Sequence, residues 1–376
     1  MIKTRSCAIV SNQAFSIINF RGPLILDLVA AGVKVYAFAP DYDEEMSQLV
    51  RKLGAVPINF SLARTGMNPF RDALDALRLA ALLRRLRPDV MFGYSIKPVI
   101  YGMPAAWLAS VPLRVAMIEG LGYIFTDSDR LHTRKRKWLL TLVHALYRFS
   151  LKRAHKVIFL NRNDVSEFTE ANLVAEAKVI NFGAVGVDLL NFSLISPVVK
   201  PLTFILIARL LREKGIVEYA DAARQVKIRN PTVRFILLGG LDSNPGCLKL
   251  SEVEAWVKEG LLEWPGHVEV KPWLTQASVF VLPSYREGVP RSTQEAMAMG
   301  LAVITTDAPG CRETAYEGVN GFLVPVRDVL ALADAMLRFV ENPSLVVTMG
   351  LESRRLAERF FDVRTINARL LTILGF

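Results

Sequence analysis

The sequence predicts an α/β protein with two doubly wound parallel sheets. Short apolar segments alternate along the chain with segments of helical periodicity, which is typical of parallel strands joined by crossover helices. The chain has 376 residues, enough for about two domains of ordinary size. Serine, proline and lysine interrupt the pattern near 193–200. We therefore predict a first domain at 1–192, a linker at 193–200, a second domain at 201–360 and a final helix within 361–376.

The first domain is predicted to alternate strands with helices. The predicted strands are Ser6–Val10, Val33–Phe38, Val56–Phe60, Asp89–Phe92, Val115–Ile118, Lys156–Leu160 and Lys178–Asn181. The predicted helices are Asn19–Ala31, Glu44–Leu53 and Asp72–Leu86. The segment from Ser11 to Arg21 is accordingly predicted to be a loop that runs into the first helix.

The second domain is predicted to repeat this scheme. Its predicted strands are Leu202–Ile207, Val233–Gly239, Val268–Val270, Val279–Leu282, Leu301–Thr305 and Gly321–Val324. A helix is predicted to open near Pro290, because proline suits the first helical position, and to end at Gly300. Ligands of open α/β sheets bind at the carboxyl ends of the strands, so the loops after these strands are where we expect a site.

The chain is basic and poor in cysteine. Its formal net charge of +10 indicates an anionic partner, which could be nucleic acid, a membrane surface or a phosphorylated substrate. No recognised nucleic-acid motif accompanies the charge, so we expect no nucleic-acid partner. The three cysteines and four histidines lack metal-ligand spacing, so we expect a reducing compartment and no metal site. No apolar run reaches the roughly 20 residues of a membrane span, and we expect a cytoplasmic protein, free or peripheral at the inner face of the cytoplasmic membrane.

The segment Val279–Gly300 is the centre of the predicted site. A helix that opens near Pro290 leaves the backbone N–H groups of Arg291, Ser292 and Thr293 available to an anion. Glu287 and Glu295 flank this position. Two carboxylates repel a phosphate but accept strong hydrogen bonds from hydroxyl groups. A nucleotide sugar has hydroxyls on both sides of a diphosphate, so the segment predicts a nucleotide-sugar site, with solvated surface glutamates as the alternative.

This segment resembles the signature of the retaining GT-B glycosyltransferases of family 4. The resemblance lies in Pro-Ser-x-x-Glu-Gly, ending at Gly288, and in Glu-Ala-x-Ala-x-Gly, which begins at Glu295. It implies that Glu287 contacts the donor sugar, that Glu295 binds the ribose, and that His267 lies where backbone groups hold the nucleobase. It also implies two Rossmann-like domains facing across a cleft, with the last helix crossing back to the first domain. The nucleotide sugar is then a substrate, and no cofactor is expected.

Two cations after the first strand of the second domain are predicted to bind the donor diphosphate. Arg209 and Lys214 lie between that strand and its helix, and fixed cations stabilise a leaving diphosphate without a metal. The resemblance implies the same role, and a solvated basic loop is the alternative. Gly239 ends the next strand, in a turn predicted to lie near the nucleotide.

The first domain is predicted to bind the acceptor. Glu119-Gly120-Leu-Gly122 follows a strand and resembles a family loop that reaches the reacting sugar. Many relatives have histidine where this chain has Glu119, so its role stays open between general base, ligand of acceptor hydroxyls, and loop ordering. Asn19 and Arg21 are further polar candidates. Lys97 is predicted either to meet an acceptor phosphate or to be an ordinary exposed lysine.

A basic segment between Arg130 and Lys156 contains Arg134-Lys-Arg-Lys137 and the aromatic residues Trp138, Tyr147 and Phe149. Trp138, Leu139, Leu142 and Leu146 have spacings that share a helix face. A basic amphipathic helix fits an anionic membrane surface, and a core-packed helix with solvated charges fits equally well.

These observations together predict a metal-independent retaining glycosyltransferase. The resemblance implies transfer of a sugar from a nucleotide diphosphate sugar, expected to be UDP-linked, to a polyprenyl-diphosphate-linked glycan in surface-polysaccharide assembly. A sugar-nucleotide epimerase of the same fold is the alternative, followed by a basic nucleic-acid-binding protein. A dehydrogenase is not expected, because no Gly-x-Gly-x-x-Gly follows the first strand.

Overall fold

The computed structural model of the chain describes residues 5–62, 69–121, 125, 134–242, 244 and 246–376. The chain divides into two compact units. Unit 1 contains the described residues up to Leu121, those from 134 to 183, and the C-terminal segment Arg364–Phe376. Unit 2 contains Ala184–Val363 and Phe125. Each unit is built around its own parallel sheet.

The described part of unit 1 has a sheet of seven parallel strands in the order β3-β2-β1-β4-β5-β6-β7. The strands are β1 (Ser6–Val10), β2 (Lys34–Ala39), β3 (Val56–Asn59), β4 (Val90–Tyr94), β5 (Leu113–Ile118), β6 (Lys156–Phe159) and β7 (Val179–Asn181). The first six helices cover the sheet: α1 (Ala14–Ala30), α2 (Glu44–Lys52), α3 (Pro69–Leu86), α4 (Ile96–Leu108), α5 (Arg134–Leu151) and α6 (Arg162–Glu170).

The described part of unit 2 has six parallel strands in the order β10-β9-β8-β11-β12-β13. They are β8 (Thr203–Ile207), β9 (Arg234–Leu238), β10 (Glu263–Gly266), β11 (Val279–Leu282), β12 (Ala302–Thr306) and β13 (Gly321–Val324). The following helices are α7 (Ile216–Arg229), α8 (Leu250–Lys258), α9 (Lys271–Leu274), α10 (Arg291–Ala298), α11 (Val329–Glu341), α12 (Ser344–Phe360) and α13 (Val363–Leu374).

The two doubly wound sheets confirm the predicted fold class. The central strands β1, β4, β8 and β11 are buried along their whole length. Helices on both faces of a parallel sheet require such continuous apolar strands. None of the described helices is both long and apolar enough to cross a membrane.

Helix α1 begins five residues earlier than predicted. It starts at Ala14, so Asn19 and Arg21 lie within a helix rather than in a loop. The buried positions Ala14, Ile17, Arg21, Leu24 and Leu28 continue one helical stripe. The segment Ser11-Asn-Gln-Ala-Phe-Ser16 has the polar composition of a loop, which is why the helix start was misplaced.

Two local predictions in unit 2 need correction. The strand expected at Val268–Val270 is instead β10, at Glu263–Gly266. This strand contains Pro265 and lies at the edge of the sheet, next to β9. An edge strand tolerates a proline because the backbone N–H groups on its outer side donate no hydrogen bonds to another strand. Pro290 is the N-cap of α10 rather than its first residue, with an extended backbone.

The unit boundary lies earlier than the predicted domain boundary. Residues 184–192 and the predicted linker at 193–200 belong to unit 2. In this segment the Val187 N–H donates to Phe361 O at 2.8 Å, and the Ile195 N–H donates to Met299 O at 3.1 Å. Backbone bonds of this kind fix the segment to unit 2, although its composition is typical of a linker.

Most of helix α13 belongs to unit 1, from Arg364 to its end. The Asn367 amide donates to Asp27 of α1 at 2.7 Å, and the Lys156 ammonium donates to Ile373 O at 2.6 Å. The C-terminal end of the chain therefore packs on the N-terminal unit.

Helix α5 packs differently from the predicted face. Its buried side chains are Val143, Tyr147 and Leu151. Leu139, Leu142 and Leu146 are half-buried, while Trp138 is 68% exposed. The side chains of 134–136 lie outside the described residues. The predicted face of Trp138 with three leucines is therefore not one exposed surface.

Candidate active site

Four adjacent strands of unit 2 bring the predicted donor-site residues to one edge of the sheet. Arg209 follows β8, Gly239 follows β9, His267 follows β10 and Glu287 follows β11. The strands are neighbours in the order β10-β9-β8-β11 and run parallel. Their carboxyl ends therefore form one edge, which is the ligand-binding edge of open α/β sheets.

Lys214 and Glu287 form the central contact of this edge. The Lys214 ammonium lies 2.5 Å from Glu287 Oε1, and both side chains are largely buried. The Ser284 hydroxyl donates to the same oxygen at 2.7 Å. An ammonium has three N–H donors, so Lys214 can hold Glu287 and still donate to an anionic ligand.

Two glycines fix the backbone around Glu287. Gly215 has φ 70°, and a Cβ there would lie 2.1 Å from Pro283 O. Gly310 has φ 75°, and a Cβ there would lie 2.1 Å from Glu287 O. The Glu287 N–H also donates to Pro309 O at 3.0 Å. Only glycine fits these two approaches without displacing the backbone that carries Glu287 and Gly288.

Arg209 is oriented by an acid from the neighbouring strand. Its guanidinium donates to Asp242 Oδ2 at 3.0 Å. The Arg209 side chain is 54% exposed, whereas that of Asp242 is 4% exposed. The buried carboxylate therefore anchors a guanidinium that still reaches solvent at the edge of the sheet.

Helix α10 carries the remaining predicted donor residues. Arg291 donates to Glu295 Oε1 at 2.9 Å, one helical turn along. Burial raises the pKa of Glu295, and Arg291 opposes this rise. Thr293 is buried, and its hydroxyl has no hydrogen-bond partner in the described part of the chain. Ser292 is half-buried beside it.

Gly239 and His267 meet where β9 and β10 end. The Gly239 N–H donates to Gly266 O at 2.9 Å, directly before His267. A Cβ placed on Gly240 would lie 3.4 Å from the His267 Cβ. The structure thus brings these two predicted nucleotide-binding positions together.

Glu119 of unit 1 is paired with Arg21. It follows β5, and its carboxylate accepts a hydrogen bond from the Arg21 guanidinium. The Arg21 side chain is only 3% exposed, and its guanidinium lies 4.5 Å from the Tyr94 ring centroid. The Ser95 hydroxyl lies 3.5 Å from the second carboxylate oxygen of Glu119, and Ser95 has a φ of 71°. Arg21 is therefore a buried partner of Glu119 and not an exposed polar side chain.

The other predicted acceptor residues do not join this pair. Lys97 is nearly buried and donates to Asp72 Oδ1 at 2.9 Å, so it is not an exposed lysine and its charge is already paired. Asn19 is exposed on α1 and donates to Phe15 O at 3.0 Å. Gly120 follows Glu119 with φ 143°, and Gly122 lies outside the described residues.

Two family models match most of the chain. One, described as "Glycosyl transferase 4-like domain", matches residues 22–183. The other, described as "Glycosyl transferases group 1", matches residues 201–342. These ranges contain every strand of the two sheets except β1. The chain belongs to the glycosyltransferases that these two models describe.

Curated relatives of this glycosyltransferase are bacterial enzymes of polysaccharide and glycoconjugate synthesis. An N,N'-diacetylbacillosaminyl-diphospho-undecaprenol α-1,3-N-acetylgalactosaminyltransferase from Campylobacter jejuni is 28% identical, over 97% of this chain and 96% of that protein. A UDP-Gal:α-D-GlcNAc-diphosphoundecaprenol α-1,3-galactosyltransferase from Escherichia coli is 25% identical, over 73% of this chain and 72% of that protein.

Solved structures confirm the GT-B fold of the glycosyltransferase. Sucrose-phosphate synthase from Thermosynechococcus elongatus superposes with a TM-score of 0.77 and 17% identity, covering 98% of each chain. HepE from Anabaena, solved in complex with UDP-glucose, gives a TM-score of 0.76 at 19% identity, covering 98% of this chain and 99% of that one. At these identities the likeness establishes the fold.

The glycosyltransferase has partner residues that the sequence analysis missed. Ser284 and Asp242 hold Glu287 and Arg209, and Tyr94 lies against Arg21. Ser284 stands three residues before Glu287, in the same turn, which is a spacing that could have indicated the contact. Asp242 and Tyr94 lie far from their partners in sequence, so only the sheet order brings them near. Within the described residues there is no group of three or more His, Cys, Asp or Glu that could hold a metal ion.

Proposed function

We propose that this glycosyltransferase moves a sugar from a UDP-linked donor to a polyprenyl-diphosphate-linked glycan in surface-polysaccharide assembly. The observation that carries the proposal is the contact of Lys214 with Glu287, 2.5 Å apart at the carboxyl edge of the unit 2 sheet. One cation beside one carboxylate suits a ligand with a diphosphate next to a hydroxyl-bearing sugar. The acceptor class is supported by two relatives whose names specify undecaprenol-diphosphate-linked substrates.

The proposed donor site uses charges of both signs. Lys214 and Arg209 bind the diphosphate and stabilise the negative charge that grows on it as the glycosidic bond breaks. Glu287 accepts hydrogen bonds from donor-sugar hydroxyls, and Glu295 accepts them from the ribose. The N–H groups of the first turn of α10 face the phosphates, and the turn at Gly239 and His267 lies against the nucleobase.

The proposed reaction proceeds with retention and without a metal. The departing phosphate helps to deprotonate the acceptor hydroxyl on the same face of the sugar, so no protein nucleophile is required. Fixed cations supply the charge stabilisation that a divalent ion would otherwise give.

The proposed role of Glu119 is to bind acceptor hydroxyls and to order its loop. Its carboxylate already pairs with the Arg21 guanidinium. A carboxylate that is held by a guanidinium already uses lone pairs that a base would offer to a proton. Of the three roles that the sequence left open, general base is therefore the least favoured by this contact.

The test is a transfer assay with purified protein. Each of a set of nucleotide sugars is incubated with a synthetic polyprenyl-diphosphate sugar, and the product is analysed by mass spectrometry and by NMR of the anomeric centre. We expect a longer lipid-linked glycan with the donor's anomeric configuration. Conversion of the nucleotide sugar to its epimer without any acceptor would instead identify an epimerase. A product with the inverted anomeric configuration would overturn the retaining mechanism.

A melting-temperature screen identifies the donor before that assay. A ligand that binds only the folded protein raises its stability by about 2.7 kcal/mol at one hundred times its dissociation constant. We expect UDP and one UDP-sugar to raise the melting temperature more than the corresponding GDP compounds do. If no nucleotide raised the melting temperature, the proposed donor site would be wrong.

A further inference from the structure

A shallow cavity on unit 1 is lined by cations and aromatic rings. It lies where α4 and α5 end and has a volume of about 540 Å³. We call it the α4–α5 basic patch, lined by Trp107, Arg114, Ala145, Arg148, Phe149, Lys152 and Arg153. None of its residues has been assigned to the donor or acceptor sites above.

The helices that form this patch carry almost no acidic residues. The chain has no Asp or Glu between 98 and 118 or between 131 and 163, which includes all of α5 and all but the first two residues of α4. In the part of the chain that the structure describes, no carboxylate forms an ion pair with Arg114, Arg148, Lys152 or Arg153. Four adjacent cations therefore repel one another unless an anion binds between them.

Backbone carbonyl groups hold three of these cations in place. Arg148 donates to Asn172 O at 3.0 Å, Arg153 to Phe149 O at 2.6 Å, and Arg114 to Arg153 O at 2.7 Å. Cations at the C-terminal end of a helix also stabilise its dipole. These bonds explain how the cations are positioned, but the partial charges of carbonyl groups do not balance four full positive charges.

Exposed rings complete the patch. Trp107 is 48% exposed and Phe149 is 53% exposed. The Arg153 guanidinium lies 4.8 Å from the Trp107 ring centroid and 3.6 Å from that of Phe149. Exposed aromatic residues interleaved with cations are typical of surfaces that enter the head-group region of a bilayer.

The exposed face of α5 continues from the patch toward the other end of the helix. Lys137, Trp138, Thr141, Ala145 and Phe149 are all exposed, and their spacing places them on one side of the helix. From Trp138 to Phe149 this side spans roughly 16 Å at 1.5 Å per residue. Trp138 marks the end of the helix that is nearest in sequence to the loop after Glu119.

We propose that the α4–α5 basic patch binds the phosphate head groups of anionic lipids and lays α5 along the membrane surface. Apolar side chains and clustered cations together can hold a protein at a bilayer, whereas either alone is marginal. In this orientation Trp138, near the amino end of α5, also reaches the head groups. The proposal does not depend on the donor or on the reaction.

The test is co-sedimentation of the whole chain with lipid vesicles. Wild-type protein is expected to bind vesicles that contain phosphatidylglycerol, to bind pure phosphatidylcholine vesicles weakly, and to lose binding as salt is raised. The variant Phe149→Ser/Lys152→Glu removes one ring and reverses one charge. We expect it to lower the vesicle partition coefficient at least about tenfold, since each surface cation contributes roughly fivefold. Trp107→Ser is a second, independent variant with the same expected direction.

The matched control is Ile228→Ser/Lys258→Glu in unit 2. Ile228 is 77% exposed and Lys258 is exposed, so this control makes the same change in charge and also removes an exposed apolar side chain, away from the patch. We expect its partition coefficient to stay within about twofold of wild type. An equal loss in the control, or no binding of wild-type protein at low salt, would overturn the proposal.

Two soluble ligands test whether the patch binds an anion other than a membrane surface. Glycerol 1-phosphate and a DNA duplex are titrated against wild-type protein and against Phe149→Ser/Lys152→Glu. If either ligand binds through the patch while vesicles do not, the patch is a site for free phosphate or nucleic acid, and the membrane proposal is wrong. Circular dichroism of each variant verifies that the fold is retained.

Discussion

The Lys214 ammonium lies 2.5 Å from Glu287 Oε1, and the Ser284 hydroxyl donates to the same oxygen at 2.7 Å. The three residues come from the loops after two neighbouring strands, β8 and β11. One carboxylate oxygen thus fixes a cation that is still able to donate to a phosphate. The contact ties the proposed sugar-binding group to the proposed diphosphate-binding group.

Lys214→Ala is predicted to lower turnover more than donor binding. The charge on the leaving diphosphate grows in the transition state, so a cation there contributes more to the barrier than to ground-state affinity. We expect kcat to fall about 100-fold or more, with KM for the donor within about fivefold, and Arg209→Ala to act in the same direction. Steady-state kinetics measure both constants.

Lys258→Ala is the control for this prediction, because Lys258 is an exposed lysine in α8 of the same unit. Its kinetics should match wild type. A Lys214→Ala enzyme with unchanged kcat and a raised KM would show that the cation contributes only to ground-state binding.

Glu295→Ala is predicted to weaken UDP binding by more than about 1 kcal/mol, the scale of a hydrogen bond to a charged group. The reason is the loss of the proposed acceptor for the ribose hydroxyls. Isothermal titration calorimetry with UDP and with GDP is the measurement. Unchanged affinity for both nucleotides, with the fold intact, would remove ribose binding from the role of Glu295.

Acidification is predicted to affect UDP binding and stability in opposite directions through Glu295. Burial raises its pKa above the ordinary 4.5, so the folded state takes up a proton while an unfolded glutamate is still ionised. As the pH falls from above the folded-state pKa of Glu295 toward its unfolded value, this group increases the free energy of unfolding. Over the same range UDP affinity falls, because a protonated carboxylic acid accepts hydrogen bonds more weakly than a carboxylate does. Glu295→Gln should show neither change. Calorimetry and urea unfolding between about pH 4.5 and 7 test both signs.

Arg21 and Glu119 are predicted to be energetically coupled. Arg21→Met leaves the Glu119 carboxylate without its guanidinium, and we expect a loss of about 2–3 kcal/mol of unfolding free energy. A fully buried pair would lose about 3–5 kcal/mol, but the Glu119 side chain keeps 21% exposure. In a double-mutant cycle with Glu119→Gln, the double variant should lose less than the sum of the single variants. Strict additivity would mean that the two residues stabilise the unit independently.

Chelation is predicted to leave transfer activity unchanged. The proposed mechanism relies on Arg209 and Lys214 for charge stabilisation. Initial rates are compared with and without excess EDTA, after dialysis against the chelator. Loss of activity that returns on addition of a divalent ion would replace the metal-free mechanism.

The sequence determined the strand pattern of the chain and the segments from which the site residues come. Strands β1 and β11 were predicted to the residue, because a fully buried parallel strand is a continuous apolar run that needs no distant information. Glu287, Glu295, Arg209 and Lys214 were predicted as site residues for a similar reason, since they occupy loops and a helix next to such strands. Local spacing is sufficient for features of this kind.

The tertiary structure decided which of these residues meet and which are buried. Arg21 is separated from Glu119 by 98 positions, and Lys97 from Asp72 by 25. A cation in a sequence looks the same whether a carboxylate or water surrounds it. Desolvating a charge is costly, so its burial requires a partner that only the packed fold can supply. The packed fold therefore pairs Arg21 with Glu119 and Lys97 with Asp72. It leaves the cations beside Trp107 and Phe149 at the surface.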